Sequence, residues 1–342
     1  MVWNQWDQVL KMKAVNRDYK GDDTYYDRLF SYLKTKFLTE NLQLKPIRKD
    51  VFLLKSQKMT CILKGYRSEH KLKVHEAFTS TLRKEGFFHT YKFLTPPGGE
   101  LLTFEGTYFA CIEYISPNEI PFSYQTVQNR KEALKLLEDF HQITSHFEVR
   151  YRTLLPKAEL LGKWIERYKM FINNLPTIRY FIKEPYISEM ISWASWSLSH
   201  LEKNQNLLDQ QSKVILHGDV AHHNILRDES GRLFLIDFDL IQIGPPAYDY
   251  LQMSNRFLPH LNWSFDRLSK YKQIRKYIKN RAFLYALAYP ADIFREWNRM
   301  IREKTYFDPN KLKYVTELSI GQFHIRKQFI EQLKNILEEI QE

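Results

Sequence analysis

The sequence predicts an α+β protein of two lobes: a small antiparallel-sheet lobe over residues 1–117 and a larger, mainly helical lobe over 118–342. Three observations carry this expectation. The 342 residues exceed one typical domain of about 100–200 residues. Short apolar runs bounded by turn residues, with one helical pattern among them, fill the chain from Asp50 to Ile115, and helical periodicity dominates after Phe122. Inside the helical half, residues 214–246 return to strand-like texture.

Taken in order, Leu29, Phe30, Leu33 and Phe37 recur at helical spacing and predict a helix over 25–38. Residues 50–55 and 59–66 are apolar runs separated by Ser56-Gln57-Lys58, which reads as a hairpin. Residues 71–84 suit a helix stopped by Gly86, since a glycine commonly ends one. Strands are expected over 87–94 and 107–115, across the turn-rich stretch from Thr95 to Glu100. In the second lobe, Leu134, Leu137 and His141 mark one helix. Leu160, Leu161, Trp164, Ile165, Tyr168, Phe171 and Ile172 mark a second, and Trp193 with Trp196 a third. These stripes read as core, because an amphipathic helix needs a buried face.

Composition narrows the class. A hydrophobic content of 44% with 15% aromatics excludes disorder, and 11 Gly with 13 Pro excludes a collagen-like chain. Two cysteines, Cys61 and Cys111, exclude a disulfide framework or a four-cysteine zinc site, so a reduced, cytoplasmic setting is expected. The start lacks a signal-peptide pattern, and no run approaches the roughly 18 apolar residues of a membrane span. The formal charge of +11 leaves polyanions of several kinds open as partners. Much of it lies in the tail, where Lys270, Lys272, Arg275, Lys276, Lys279 and Arg281 form a basic run. That run reads either as a solvated helix face or as a docking surface for an acidic substrate or partner; without a recognised module it argues against nucleic acid.

The chemistry concentrates in 214–246. There, His217-Gly218-Asp219 is followed by Asn224 and, one hairpin later, by Asp237-Phe238-Asp239. Carboxylates and an amide at strand and loop ends, beside apolar runs, need a cation or hydrogen bonds to compensate their burial. Phosphoryl transfer offers a use for all three: one carboxylate to orient and deprotonate a hydroxyl, and an amide plus a second carboxylate to hold magnesium. The five-residue step from Asp219 to Asn224, then Asp237, matches the kinase pattern. A zinc reading of His217, His222 and His223 finds no tetrahedral spacing.

In this string the chain resembles the aminoglycoside phosphotransferase and choline kinase superfamily, whose members share a protein-kinase-like fold. The resemblance implies Asp219 as catalytic base, Asn224 and Asp237 as magnesium ligands, and ATP with Mg²⁺ as cofactors in a cleft between lobes. The residues Leu137-Glu138-Asp139-Phe140-His141 and Gly244-Pro245-Pro246-Ala247-Tyr248-Asp249 resemble flanking family segments. They imply Asp249 as a hydrogen-bonding support of the catalytic loop and His217 as its orienting residue. Within the superfamily the chain resembles the CotS-type spore-coat proteins, through its length, Asp237-Phe238-Asp239 and the stretch from Tyr289 to Trp297. That likeness implies a sporulation context, coat proteins as partners, and spore-coat deposition beside the cytoplasm as a location. The acceptor implied is a hydroxyl of a small molecule or saccharide. The alternative is a coat scaffold that kept the fold and lost turnover.

Other positions are less specific. Lys64, ending an apolar strand, resembles the lysine that pairs with nucleotide phosphates, or is a solvated strand-end residue. Glu76 and Glu69 are available as the partner acid on the next helix, with Glu76 the candidate, although alignment by Leu82 and Gly86 puts His75 near that place. Glu113 to Ile115 falls at the inter-lobe hinge, where backbone groups would read an adenine edge. No glycine occurs in Pro46-Ile47-Arg48-Lys49-Asp50-Val51, where protein kinases place a Gly-rich loop. Arg48 and Lys49 either supply charge instead or form a solvated turn. His222 and His223 either touch substrate or face solvent, and Asp239 is either an auxiliary ligand or a salt-bridge partner.

Overall fold

A computed structural model describes residues 23–204, 206–209 and 212–340. The chain forms two compact units. One holds the described residues up to Thr144 together with Ala221–Asp239, and the other holds Ser145–Val220 and the chain from Leu240 onward.

The first unit is built on an antiparallel sheet of β1 (Gln43–Arg48), β2 (Val51–Lys55), β3 (Thr60–Tyr66), β4 (Phe93–Leu94), β5 (Leu102–Phe104) and β6 (Thr107–Glu113). The order is β1-β2-β3-β6-β4, with β5 also on β6. In central β3, Lys64 lies opposite Val51 on one side and Ala110 on the other. Helix α1 (Asp23–Phe37) buries Leu29, Leu33 and Phe37 in a core with Leu44, Phe52, Leu54, Leu63, Phe109 and the free thiols of Cys61 and Cys111. Each such fully buried large side chain is worth about 1.5–3 kcal/mol. Helix α2 (Glu69–Lys84) starts at Ser68, whose hydroxyl accepts from Lys71 N, and ends as Gly86 turns to a φ of +98°.

Two stretches differ from expectation. Strand β1 contains Pro46, which a register shift in this edge strand accommodates, and it turns into β2 through only Lys49 and Asp50. Of the strand expected over 87–94, only Phe93–Leu94 pairs with the sheet. Before it, His89 bonds instead to the pair β8 (Ile225–Arg227) and β9 (Leu233–Leu235), with Leu235 N donating to His89 O at 2.9 Å. Ser116 and Asn118 also bond to this hairpin, through Glu229 N and Arg227 O. Helix α3 (Val127–Ser145) joins the same unit because Phe140 packs among Phe78, Phe87 and Phe238.

The second unit is mainly helical. Helices α4 (Leu160–Asn173) and α5 (Glu184–Asn204) precede β7 (Val214–Leu216), which pairs with β10 (Gln242–Gly244). Then come α6 (Ala247–Phe257), α7 (Arg281–Ala288), α8 (Ala291–Arg302), α9 (Pro309–Ile320) and α10 (Phe323–Glu339). The aromatic stripes are core: Trp193 stacks on Phe323, Trp164 on Tyr289 at 4.3 Å, and Phe171 on Phe294 at 3.9 Å. The basic run is one short helical turn, Lys272–Arg275, with flanking turns and Arg281 opening α7; it buries Tyr271, Ile274 and Tyr277 and leaves most of its cations exposed. Among the described residues no helix is long and apolar enough to cross a membrane.

Candidate active site

In the first unit, cations from the sheet meet the acids that follow β9. Lys64 Nζ lies 2.7 Å from Asp239 Oδ1 and 3.2 Å from Asp237 Oδ1, and Arg48 Nη2 lies 3.0 Å from Asp237 Oδ2. Lys64 is 7% exposed, and a buried ammonium is tolerable only when paired. Asp237 sits at φ +68°, a left-handed conformation rare outside glycine and held only where packing over-determines it. The neighbouring Phe238 supplies that packing, with Phe78, Tyr91 and Phe140 within 6.0 Å between ring centres.

Glu76 is corrected as the partner of Lys64. It stands on the exposed face of α2, and the buried position one residue earlier is His75. His75 Nδ1 lies 3.8 Å from Asp239 Oδ1. Burial pushes its pKa down to about 4, against the opposing pull of Asp239, so the imidazole is neutral at pH 7. The sequence supplies the two acids after β9 in place of a helix carboxylate.

Asn224 is buried in a short helical turn; its carbonyl accepts from Ile236 N at 2.9 Å, which ties that turn to the start of the Asp237 segment. His223 is half-buried in the same turn. Glu113 ends β6, with its carboxylate accepting from Lys92 N, and Ile115 lies beyond the strand pairing. Asn224 and Asp237 are oxygen donors of the kind a magnesium ion prefers, and magnesium takes only one or two protein carboxylates when phosphates complete its shell. Among the described residues no group of three or more His, Cys, Asp and Glu is gathered for a metal.

In the second unit, helix α6 grips the His217-Gly218-Asp219 turn. Asp249, fully buried, accepts from His217 N at 2.8 Å and Gly218 N at 3.0 Å. Gln252 Nε2 donates to Gly218 O at 2.9 Å, and Arg256 Nη2 donates to Asp219 Oδ1 at 2.9 Å. Gly218 has φ +77°, and a Cβ there would stand 2.1 Å from Leu240 O, so only glycine fits. His217 is completely buried, with Nδ1 3.4 Å from Asp219 N. Gln252 and Arg256 escaped the sequence reading. Their signal was available, since 249, 252 and 256 recur at three and four residues and share one helical face.

Comparison with known proteins follows the same direction. The family model described as phosphotransferase enzyme family matches residues 50–266. Among curated proteins none matches the chain. Among solved structures, an aminoglycoside phosphotransferase from Alicyclobacillus acidocaldarius is 18% identical, with a TM-score of 0.66 over 89% of this chain and 95% of that one. The GDP complex of aminoglycoside 2'-phosphotransferase-IIIa is 12% identical, with a TM-score of 0.59 over 87% and 98%. A spectinomycin phosphotransferase with ADP and spectinomycin is 13% identical, with a TM-score of 0.55 over 86% and 98%. The fold of these enzymes is therefore the fold of this chain.

Proposed function

Because the chain belongs to the phosphotransferase enzyme family, we propose that it moves the γ-phosphoryl group of ATP, with Mg²⁺, to a hydroxyl of a small molecule or saccharide. The observation that carries the reading is the meeting of Arg48 and Lys64 on Asp237, cations from two strands on one acid 173 or more residues away. Such a pair of cations suits the phosphates of a nucleotide, and it stands where no glycine loop exists to offer backbone amides. Asn224 and Asp237 would hold the magnesium ion, and the backbone from Glu113 to Ile115 would meet the adenine edge. When bound, the metal–nucleotide complex supplies an electrophilic phosphorus with its oxygens' charge screened.

This chain's own residues then do the rest. Lys64 and Arg48 turn from Asp237 to the phosphates. Asp219 takes the proton of the attacking hydroxyl; as that oxygen bonds to phosphorus, the bond to the bridging oxygen breaks and ADP departs. Asp249 holds the turn beneath Asp219 through two peptide N–H groups, and Arg256 sets the carboxylate's direction. His223 and Asp239 stand beside these groups in the chain as candidate substrate and phosphate contacts. A spectinomycin phosphotransferase among the structural relatives supports a hydroxylated small molecule as acceptor. The spore-coat setting and coat-protein partners are supported by the sequence likeness in residues 289–297. A scaffold without turnover is the second reading; the ion pairs that engage Asp237 and Asp219 favour it.

Calorimetric titration with Mg·ADP tests the proposal. Binding is expected, with Asp237→Asn weakening it roughly ten-fold or more. Asp219→Asn should keep that affinity while abolishing ADP release against acceptors. A protein that does not bind Mg·ADP sinks the nucleotide reading, and one that binds it without turnover on any hydroxylated acceptor is the scaffold.

A further inference from the structure

In the second unit Lys163 and Arg295 stand close enough to Asp219 to feel its charge. Arg256 already pairs with Asp219. Lys163 and Arg167 stand one turn apart on α4 and so share a face. Arg167 Nη1 reaches Ala291 O, the first residue of α8, at 3.2 Å, and Arg295 projects one turn further along that helix. Among the described residues neither Lys163 nor Arg167 has a carboxylate within ion-pairing distance. Arg295 shares its acid, Glu296, with Arg299.

These cations sense one another. Desolvation by the surrounding protein lowers the pKa of Lys163, and repulsion from Arg167 and Arg295 lowers it further, while the charge of Asp219 pulls the other way. Arg167 is lowered by burial and by Arg295, against the pull of Glu296 and Asp292, whereas those two acids and Asp219 outweigh burial at Arg295 and raise it. Yet Lys163 and Arg295 keep solvent-exposed surface, and Arg167 is half-buried. Like charges held together and open to solvent, beside Asp219, Glu296 and Asp292 that are each already paired with an arginine, are an arrangement that an arriving anion relieves.

We propose that the acceptor is a sugar or polyol bearing an anionic group, a carboxylate or a phosphate, bound by Lys163, Arg167 and Arg295 while Asp219 receives the proton of its hydroxyl. The proposal rests on the phosphotransferase reading above and adds the charge of the substrate. Arginine forks suit either oxyanion, and an ammonium adds a point charge that tolerates both geometries. The same surface repels a polycationic sugar.

One carbon skeleton in several charge states provides the test. The full-length protein with Mg·ADP is titrated with glucuronate, glucose 6-phosphate, glucose and glucosamine, and with Mg·ATP the same sugars are assayed for ADP release. The expected result is binding of at least one anionic sugar roughly ten-fold or more tighter than glucose, with glucosamine weakest. Which anionic sugar wins identifies the oxyanion. Lys163→Glu with Arg167→Glu should erase the preference, as should the milder Lys163→Gln with Arg167→Gln. Glucose or glucosamine binding as well as both anionic sugars, or a preference that survives both double variants, overturns the inference. Mg·ADP binding is the separate control: its loss in the unaltered protein would count against the phosphotransferase reading, and its presence without anion preference against this inference alone.

Discussion

Arg48 and Lys64 share an acid but not an environment. Lys64 is buried within the sheet, whereas Arg48 is 36% exposed at the end of an edge strand, although both also approach Asp239. In the proposed function Arg48 supplies the phosphate contact that a glycine loop makes elsewhere. Arg48→Ala should therefore weaken Mg·ADP binding by about ten-fold, the worth of a charge-assisted hydrogen bond, and leave AMP affinity unchanged. Equal losses for ADP and AMP in calorimetry would assign Arg48 to fold rather than phosphate. At this scale the string from His217 to Asp239 was legible in the sequence because polar groups beside apolar strands need partners. The partner of Lys64 was not legible, since the acids that reach it lie 173 and 175 positions away and only the fold selects them over Glu76.

Helix α6 acts as one element on the turn before it. Its 11 residues place Asp249, Gln252 and Arg256 on one face, and each takes hold of a different group of residues 217–219. The turn also needs Gly218, for its backbone and for the space beside Leu240 O. Gly218→Ala should destabilise the protein by about 2 kcal/mol or more, the sum of a strained backbone and a clash, read as a lowered urea midpoint. An unchanged midpoint would mean that the turn rearranges freely. The strand-like texture around the turn was legible in the sequence, but no periodicity read there singled out α6 or β10. Strand β1 was not legible, because its proline argues against a strand until its edge position and register shift are seen. The missing part of the expected 87–94 strand has a related origin: His89 had two sheets to choose from, and the hairpin β8–β9 took it.

Over the whole molecule, acid should act in two stages. His75 is neutral in the folded chain down to about pH 4 but takes a proton near its ordinary 6.5 when unfolded. The unfolded state then binds more protons, so stability falls as pH drops from about 6.5 toward 4, at up to about 1.4 kcal/mol per pH unit. A second loss follows below the ordinary aspartate value. Asp228 and Asp292 are pushed up by burial, but hydrogen bonds and the Arg232 and Arg326 guanidinium groups more than offset it, so both stay below the usual range. Their contribution is present above that range and disappears as pH falls through their folded values. Urea unfolding between pH 7.5 and 4 should show the first slope, and His75→Gln should flatten it; an unaltered slope in the variant assigns the effect elsewhere. The two-unit plan was legible only in part, because the sequence cuts a chain once whereas packing of Phe140 and Phe238 gathers distant segments into one unit.

The double engagement of Asp237 also sets an order of arrival. A bare divalent cation approaching this carboxylate meets Arg48 and Lys64 already seated on both of its oxygens, and must compete with two fixed positive charges. In the proposed function, nucleotide phosphates draw those same cations away and free the acid. Metal and nucleotide would therefore help one another onto the protein, and by thermodynamic reciprocity each would raise the affinity for the other by the same factor. Under that proposal the resting ion pairs work as an interlock: magnesium would be admitted in company with its nucleotide, and weakly on its own.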